Sequence, residues 1–293
     1  MQSAATKLSS QIVLHPTVAS FRAFRKSLQP ITKIGFVPTM GALHDGHLSL
    51  VKAARANNDV VVASIFVNPT QFGKGEDFDK YPRQLERDSE LLAEYGVDHL
   101  FAPNIEEMYG KNHVTYVDPQ GFDEIPEGEM RPGHFKGVST IVTKLFNIVD
   151  PTNAYFGQKD VAQCFLIKRI VEDLNMDVSV NIMETIREED GLAMSSRNAY
   201  LTPDERKAAP VIYRALTAAK SLYSKKKNNV PSDEIIQSVR DVLETEPLLS
   251  TIQYISVDSK ATMRSIPSVG EDGAVLSLAC KIGSVRLIDN IIL

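Results

Sequence analysis

The sequence predicts an α/β fold in which a parallel sheet built from βαβ units occupies residues 1–187 and a smaller α+β domain occupies residues 188–293. Three observations carry this expectation. Through the first two thirds of the chain, apolar strand-like runs alternate with helical apolar patterns, as parallel crossover construction requires. From Arg187 the texture changes to a polar loop, then to helical stretches and a closing series of strand patterns. Between residues 33 and 56 an apolar strand passes through a glycine turn into an apolar-periodic helix, the local context that a phosphate site demands.

Taken in order, the periodicity predicts a helix over 18–28, a strand over 33–38, a helix over 48–56 and a strand over 59–67. The last of these contains the longest apolar run, Val60 to Ala63 with Ile65, Phe66 and Val67 beyond Ser64. It is well short of the roughly 18 residues of a membrane span, so it reads as a buried strand. A helix over 83–95 and a short strand over 99–102 follow. Segment 72–82, with Gly73, Gly75 and several charges, has neither period and reads as a mobile loop over a site.

Val138, Ile141, Val142, Leu145, Phe146 and Val149 keep helical spacing, and Ala154, Tyr155 and Phe156 form a short strand. A helix then carries Val161, Phe165, Leu166, Ile170 and Leu174, and a strand over 178–186 is weakened by Asn181 and Glu184. Beyond the expected boundary lie helices over 208–225 and 232–245, separated by a Lys-Lys-Lys-Asn-Asn linker at 225–229. Strands over 251–257, 274–282 and 285–292 close the chain.

Composition narrows the function classes. With 293 residues, 43% of them hydrophobic, the chain can bury a substantial core. Against 37 acidic side chains stand 32 basic ones, a net charge of -5, so no broad positive field attracts nucleic acid and any phosphate binding is local. Cys164 and Cys280 are the only cysteines and form no CxxC or Cys/His cluster, which speaks against disulfides and zinc and for a reducing compartment, the cytoplasm. No acidic residue precedes Asp45, whereas Lys7, Arg22, Arg25, Lys26 and Lys33 do. That pattern reads either as an organelle-import segment or as an ordinary basic-faced first helix preceded by about ten loose residues.

The chemistry concentrates in a few segments. His44 and His47 sit at or just before a helix start, three residues apart on one face, where free N–H groups and the positive dipole end suit phosphoryl oxygens. Gly46 allows close approach of a ligand. Taken bare, the His-x-Gly-His pattern also arises from a chance pair of surface or core histidines. Lys159 and Asp160 open the next helix, where they suit phosphate and ribose or simply cap it, and Gln163 is four residues beyond Lys159. Gln71 follows a buried strand at its carboxyl end, where ligands of open sheets bind; its amide suits a hydroxy acid or ties down a turn. Ser195, Ser196 and Arg197 offer hydroxyls and a guanidinium to phosphate, or a capping cluster. Arg131 and His134 are open between phosphate contact and loop anchoring. Asp88 is a candidate Mg²⁺ ligand or an exposed helix carboxylate. His15, His99 and His113 read as structural or surface histidines.

Gly35-Phe-Val-Pro-Thr-Met-Gly-Ala-Leu-His-Asp-Gly-His47 resembles the ATP-binding signature of the pantothenate synthetase (pantoate–β-alanine ligase) family. Four further segments agree in order and spacing: Phe66-Val-Asn-Pro-Thr-Gln-Phe72, Arg131-Pro-Gly-His-Phe-Lys-Gly-Val138, Phe156-Gly-Gln-Lys-Asp-Val-Ala-Gln163 and Asp190-Gly-Leu-Ala-Met-Ser-Ser-Arg-Asn198. The resemblance is strong over residues 12–202 and agrees in layout beyond. It implies a Rossmann-like nucleotidyltransferase domain related to class I aminoacyl-tRNA synthetases, with Mg²⁺ and ATP, pantoate and β-alanine as small-molecule partners, and a homodimer. Carried over by position, ATP would contact Met40, Gly41, Ala42, Leu43, His44, Asp45, Gly46, His47, Gly157, Gln158, Lys159, Asp160, Ile186, Met194, Ser195, Ser196 and Arg197. Gln71 and Gln163 would hold pantoate, and His44, His47, Lys159, Ser196 and Arg197 would serve catalysis. Gln158 departs from the glutamate of many relatives, and its retained neighbours imply unchanged chemistry. The apolar strand over 59–67 could lie near a subunit interface. Rival readings are a nucleotidyltransferase that adenylylates a phosphate ester, which would need further basic residues, and a nucleotide-binding module without turnover.

Overall fold

The structure, a computed structural model, describes residues 6–7, 12–226 and 229–293. The N-terminal tail read above lies mostly outside these residues, as do Lys227 and Asn228 of the expected linker. Two compact units result. The first comprises Met1–Phe122, Arg131–Gly157 and Gln163–Glu184, and the second Asp123–Met130, Gln158–Ala162 and Thr185–Leu293. No shift in composition announces the two short stretches before Thr185 that group with the C-terminal unit.

In the first unit the strands are β1 (Thr6–Lys7), β2 (Val13–His15), β3 (Ile34–Thr39), β4 (Val60–Ile65), β5 (His99–Phe101), β6 (Asn153–Gly157) and β7 (Ser179–Met183). They form one sheet in the order β1-β2-β5-β4-β3-β6-β7, in which only the β1–β2 pairing is antiparallel. The order reverses at β3, which has β4 on one side and β6 on the other. Such a switch point leaves a ligand crevice outside the carboxyl ends of the strands, here Thr39 and Gly157.

β4 reads as a continuous apolar run because it lies between β5 and β3, with Val61, Val62 and Ala63 fully buried. Its apolar character therefore reflects the sheet core. Leu50, Val51 and Ala54 of helix Asp45–Asn57 pack in the same core as Val37, Val61, Leu92 and Leu100. That helix begins three residues ahead of the predicted 48–56, because its first turn is polar and carries no apolar period.

The second unit contains β8 (Val230–Pro231), β9 (Leu249–Asp258), β10 (Ser268–Val269), β11 (Val275–Ile282) and β12 (Val285–Ile292). An antiparallel sheet runs β12-β11-β9, and β10 pairs with β8. The helix expected over 208–225 is two helices, Pro203–Ala208 and Val211–Lys226. Thr202 caps the first, and Pro210, which has no N–H to donate, separates them. Ile212, Leu216, Ile235, Val239 and Leu243 form the unit's core with Leu276 and Leu278 of the sheet. Among the described residues, no helix is long and apolar enough to cross a membrane.

Candidate active site

The expected site residues fall in both units: Met40 to His47, Gln71, Asp88, Gly157 and Gln163 in the first, Gln158 to Asp160, Ile186 and Met194 to Arg197 in the second.

In the first unit the turn after β3 is held from several sides. Thr39 Oγ1 donates to the Ser64 carbonyl at 2.8 Å and accepts the Gly41 N–H at 3.1 Å. Gly41 and then Ala42 adopt positive φ, 81° and 52°. A Cβ on Gly41 would lie 2.9 Å from Asp88 Oδ2, so both its conformation and its surroundings call for glycine. The Asp88 carboxylate accepts the Ala42 N–H at 2.8 Å and the Leu43 N–H at 3.0 Å, and the residue is only 1% exposed. Both carboxylate oxygens thus serve the backbone of the turn. Asp88 is therefore not the exposed helix carboxylate that its position allowed. Among the described residues, no three His, Cys, Asp or Glu side chains cluster to hold a metal.

His44 is the N-cap of helix Asp45–Asn57. Its Nδ1 accepts the Gly46 N–H at 3.1 Å, and His47 Nδ1 accepts the His44 N–H at 3.4 Å, with the ring centroids 4.2 Å apart. The hydrogen-bond network assigns the tautomers: a nitrogen that accepts carries no proton, so each neutral ring bears its hydrogen on Nε2 and is a donor there. Two histidines that cap a helix with one nitrogen and donate with the other extend the anion-binding character of the helix start.

Gln71 ends a short 3-10 turn, Pro69–Gln71, capped by Asn68. It is 9% exposed. Asn68 Nδ2 donates to Gln71 Oε1 and to the Gly137 carbonyl, each at 3.1 Å, and Asn68 Oδ1 accepts from Tyr109 Oη at 2.9 Å. Gln71 Nε2 donates to Met40 Sδ at 3.2 Å. A thioether is a weak acceptor, so a ligand oxygen can replace it. Gln163 is half-buried on helix Val161–Asp173.

Arg131 and His134, left open from the sequence, anchor this turn. His134 Nδ1 donates to the Gln71 carbonyl at 2.8 Å, and Arg131 Nη2 donates to the same oxygen at 3.3 Å. Arg131 also forms a forked pair with Glu76 in segment 72–82, with both contacts at 2.7 Å. Burial, the largest single influence, pushes the Glu76 carboxyl up. The hydrogen bonds and charge of Arg131, helped by the Gly73 N–H and His134, together outweigh it and hold the pKa at about 2. Glu76 had no signal in the sequence beyond lying in a charged, glycine-containing loop.

In the second unit, Gln158–Asp160 form a 3-10 turn directly before helix Val161–Asp173. The α-helix therefore opens at Val161 and not, as expected, at Lys159 and Asp160. Asn290 Nδ2 donates to the carbonyls of Gln158 and Lys159, both at 2.9 Å. No local pattern could reveal a partner more than a hundred residues away. The Met194 N–H donates to the Ile186 carbonyl at 3.0 Å, and Arg187 bridges to Ala193, so the expected ATP contacts Ile186 and Met194 stand side by side. Ser195 caps the turn Ser196–Tyr200 by accepting the Arg197 N–H at 3.2 Å. Asp190 accepts the Arg206 guanidinium at 2.5 Å, and that hydrogen bond is the main cause of its lowered pKa.

A family model described as pantoate-beta-alanine ligase matches residues 13–292. The pantothenate synthetase of Chloroflexus aggregans is 51% identical over 279 residues, 95% of this chain and 98% of that protein. The pantothenate synthetase of Carboxydothermus hydrogenoformans is 53% identical over 261 residues, 89% and 91% of the two chains. Among solved structures, pantothenate synthetase from Thermus thermophilus superposes with a TM-score of 0.89 at 46% identity, covering 95% of this chain and 98% of that one. Pantoate-beta-alanine ligase from Francisella tularensis, solved as a complex with β-γ ATP and β-alanine, gives 0.78 at 37% identity, covering 97% and 98%. The chain belongs to the pantoate-beta-alanine ligase family.

Proposed function

We infer that this chain is an ATP-dependent pantoate–β-alanine ligase, a carbon–nitrogen bond-forming pantothenate synthetase that works through pantoyl adenylate. The observation that carries the reading is the 3.2 Å contact between Gln71 Nε2 and Met40 Sδ. It sets the glutamine expected to hold pantoate against the first residue of the expected ATP segment, as attack of one substrate on the other requires.

In the first step the pantoate carboxylate attacks the α-phosphorus of ATP in line, a P–O bond forms, and pyrophosphate leaves with the electrons of the broken α–β linkage. The Nε2–H groups of His44 and His47 and the ammonium of Lys159 neutralise charge that grows on the phosphoryl oxygens. His47 is assigned transition-state stabilisation or proton donation. Ser196 and Arg197 assist pyrophosphate departure. Met40 to His47, Gly157 to Asp160, Ile186 and Met194 to Arg197 are the proposed ATP contacts, and Gln71 and Gln163 the proposed pantoate contacts. In the second step the β-alanine amine attacks the acyl carbon, the bond to AMP breaks, and the amide loses a proton. No protein nucleophile is needed.

Magnesium belongs to this proposal as part of the substrate MgATP. The buried, doubly engaged Asp88 does not fit a dedicated cage, and an ion carried on phosphates keeps its waters and needs at most one or two carboxylates. A homodimer and a cytoplasmic location complete the proposal; light scattering on the purified protein and fractionation of cells test them.

Isotope exchange between pyrophosphate and ATP tests the function. Exchange that depends on pantoate supports the ligase, exchange that depends on a mononucleotide supports a phosphate-ester adenylyltransferase, and no exchange supports a module without turnover. His47→Ala that folds normally and keeps near-normal exchange would remove His47 from the mechanism.

A further inference from the structure

We propose that Asn290, three residues from the last residue of the chain, is a positioning residue for Lys159. The proposal rests on the reading that Lys159 handles ATP phosphate. The carbonyls of a 3-10 turn such as Gln158–Asp160 each have a second lone pair open to donors from outside the turn. The Asn290 side chain supplies them, one hydrogen of its amide to Gln158 O and the other to Lys159 O, both at 2.9 Å. Its Oδ1 accepts from Gln158 Nε2 at 3.2 Å, which sets the orientation of the amide. Both hydrogens are committed, so the group has no alternative pose that keeps the turn in place.

Asn290 is itself held. It lies on β12, is 1% exposed, and pairs with Ser277 on the buried strand β11. Its N–H donates to Asp289 Oδ1 at 2.8 Å. The Asp289 carboxylate forms a forked pair with Arg187 at 2.6 and 3.0 Å, and Arg187 lies 4.0 Å over the Tyr213 ring while donating to the Gly191 carbonyl at 3.1 Å. A Cβ on Gly191 would come within 2.2 Å of Tyr213, so the bend beneath Arg187 admits only glycine. One dipeptide, Asp289-Asn290, thus holds the Lys159 turn with one side chain and, with the other, the bend from Arg187 to Ala193 that leads into Met194 to Arg197. A buried asparagine that donates to two carbonyls of a phosphate-handling turn has more to do than fill the sheet, and asparagine is required because aspartate cannot donate.

The test compares wild type with Asn290→Ala and Asn290→Asp, each also in a Lys159→Ala background, by titration calorimetry with ATP alone and by pantoate-dependent exchange. Loss of two hydrogen bonds to the turn is expected to lower kcat/KM for ATP about tenfold in N290A, and further in N290D, where a carboxylate faces two carbonyls. The KM for pantoate is expected to stay within about twofold. In the Lys159→Ala background, Asn290→Ala is expected to cost almost nothing more, since the residue acts through Lys159. The proposal is overturned if N290A leaves ATP binding and exchange unchanged, if it worsens both substrates alike alongside a lower Tm, or if its cost is the same with and without Lys159. Absence of exchange in wild type would sink the ligase reading instead, and the ATP isotherms of the same proteins would still decide for or against the clamp.

Discussion

The Asp88 carboxylate accepts the Ala42 N–H at 2.8 Å while Ala42 sits at a φ of 52°, a left-handed conformation that an alanine does not adopt unaided. That conformation costs about 1–2 kcal/mol, and a hydrogen bond to a charged group contributes about as much or more, so the carboxylate is what keeps the turn in shape. Asp88→Asn retains the volume but opposes an NH₂ group to one of the two backbone N–H donors. We expect kcat/KM for ATP to fall at least about tenfold with the fold intact. The Mg²⁺ concentration giving half-maximal rate should not move. A rightward shift in that concentration, without loss at saturating metal, would assign Asp88 the role of metal ligand.

Glu76 and Arg131 tie segment 72–82 to the carbonyl of Gln71, so their loss is expected to act on pantoate rather than ATP. Glu76→Gln should raise KM for pantoate several-fold and leave KM for ATP and kcat nearly unchanged. The pH dependence has a definite sign. The Glu76 carboxyl is held at about 2, below its ordinary value of 4.5. The stability it contributes is therefore fully present above pH 4.5 and disappears as pH falls towards 2. The difference in Tm between wild type and E76Q should be flat above pH 5 and shrink below it. A constant difference down to pH 3 would show that the pair is not what titrates.

How much of this was legible in the chain depends on the reach of each signal. The strands β3, β4 and β6 and helix Asp45–Asn57 stood out because burial imposes period 2, period 3.6 or a continuous apolar run on a short stretch. His44, His47 and Gln71 stood out because glycine and proline turns mark where strands end. Asp88 was visible as a residue but its hold on the turn was not, since nothing on its own helix says that its backbone partners lie 45 and 46 positions earlier. Glu76 and Asn290 were missed for the same reason. β2, only three residues long, was missed.

Gly137 lies on helix His134–Val149 where it meets the Gln71 turn. A Cβ there would come 2.4 Å from the Thr70 carbonyl oxygen and 2.7 Å from Gln71 Cα, both backbone atoms that cannot rotate away. Gly137→Ala should therefore displace the turn, costing about 1–3 kcal/mol of stability by overpacking. Because Gln71 moves with it, KM for pantoate should rise about tenfold or more while ATP binding, followed by calorimetry, stays near wild type. Equal losses for the two ligands would place Gly137 in general packing rather than at the pantoate side.

His15 and His99 form a pair on the β2–β5 edge, with Nε2 to Nδ1 at 2.9 Å and His99 stacked 3.5 Å from the Phe24 ring. Burial first, and the charge of His15 second, hold the His99 imidazole down to about 4, with Asp98 opposing them. His15 is lowered too, again by burial, with the Ser20 backbone opposing it. Asp98 is itself paired with Arg55 at 2.7 Å, so its negative charge is shared and gives the ring limited help. The native state thus keeps both rings neutral, whereas the unfolded chain takes up protons near 6.5. Stability from this pair is present above pH 6.5 and is lost as pH falls towards 4, a window above that of Glu76. His99→Gln keeps a hydrogen-bonding partner for His15 and removes the titration. Its Tm should decline less steeply than that of wild type between pH 6.5 and 4 and run parallel above pH 7. Parallel decline through the acid window would mean that the pair does not govern the acid sensitivity of this edge.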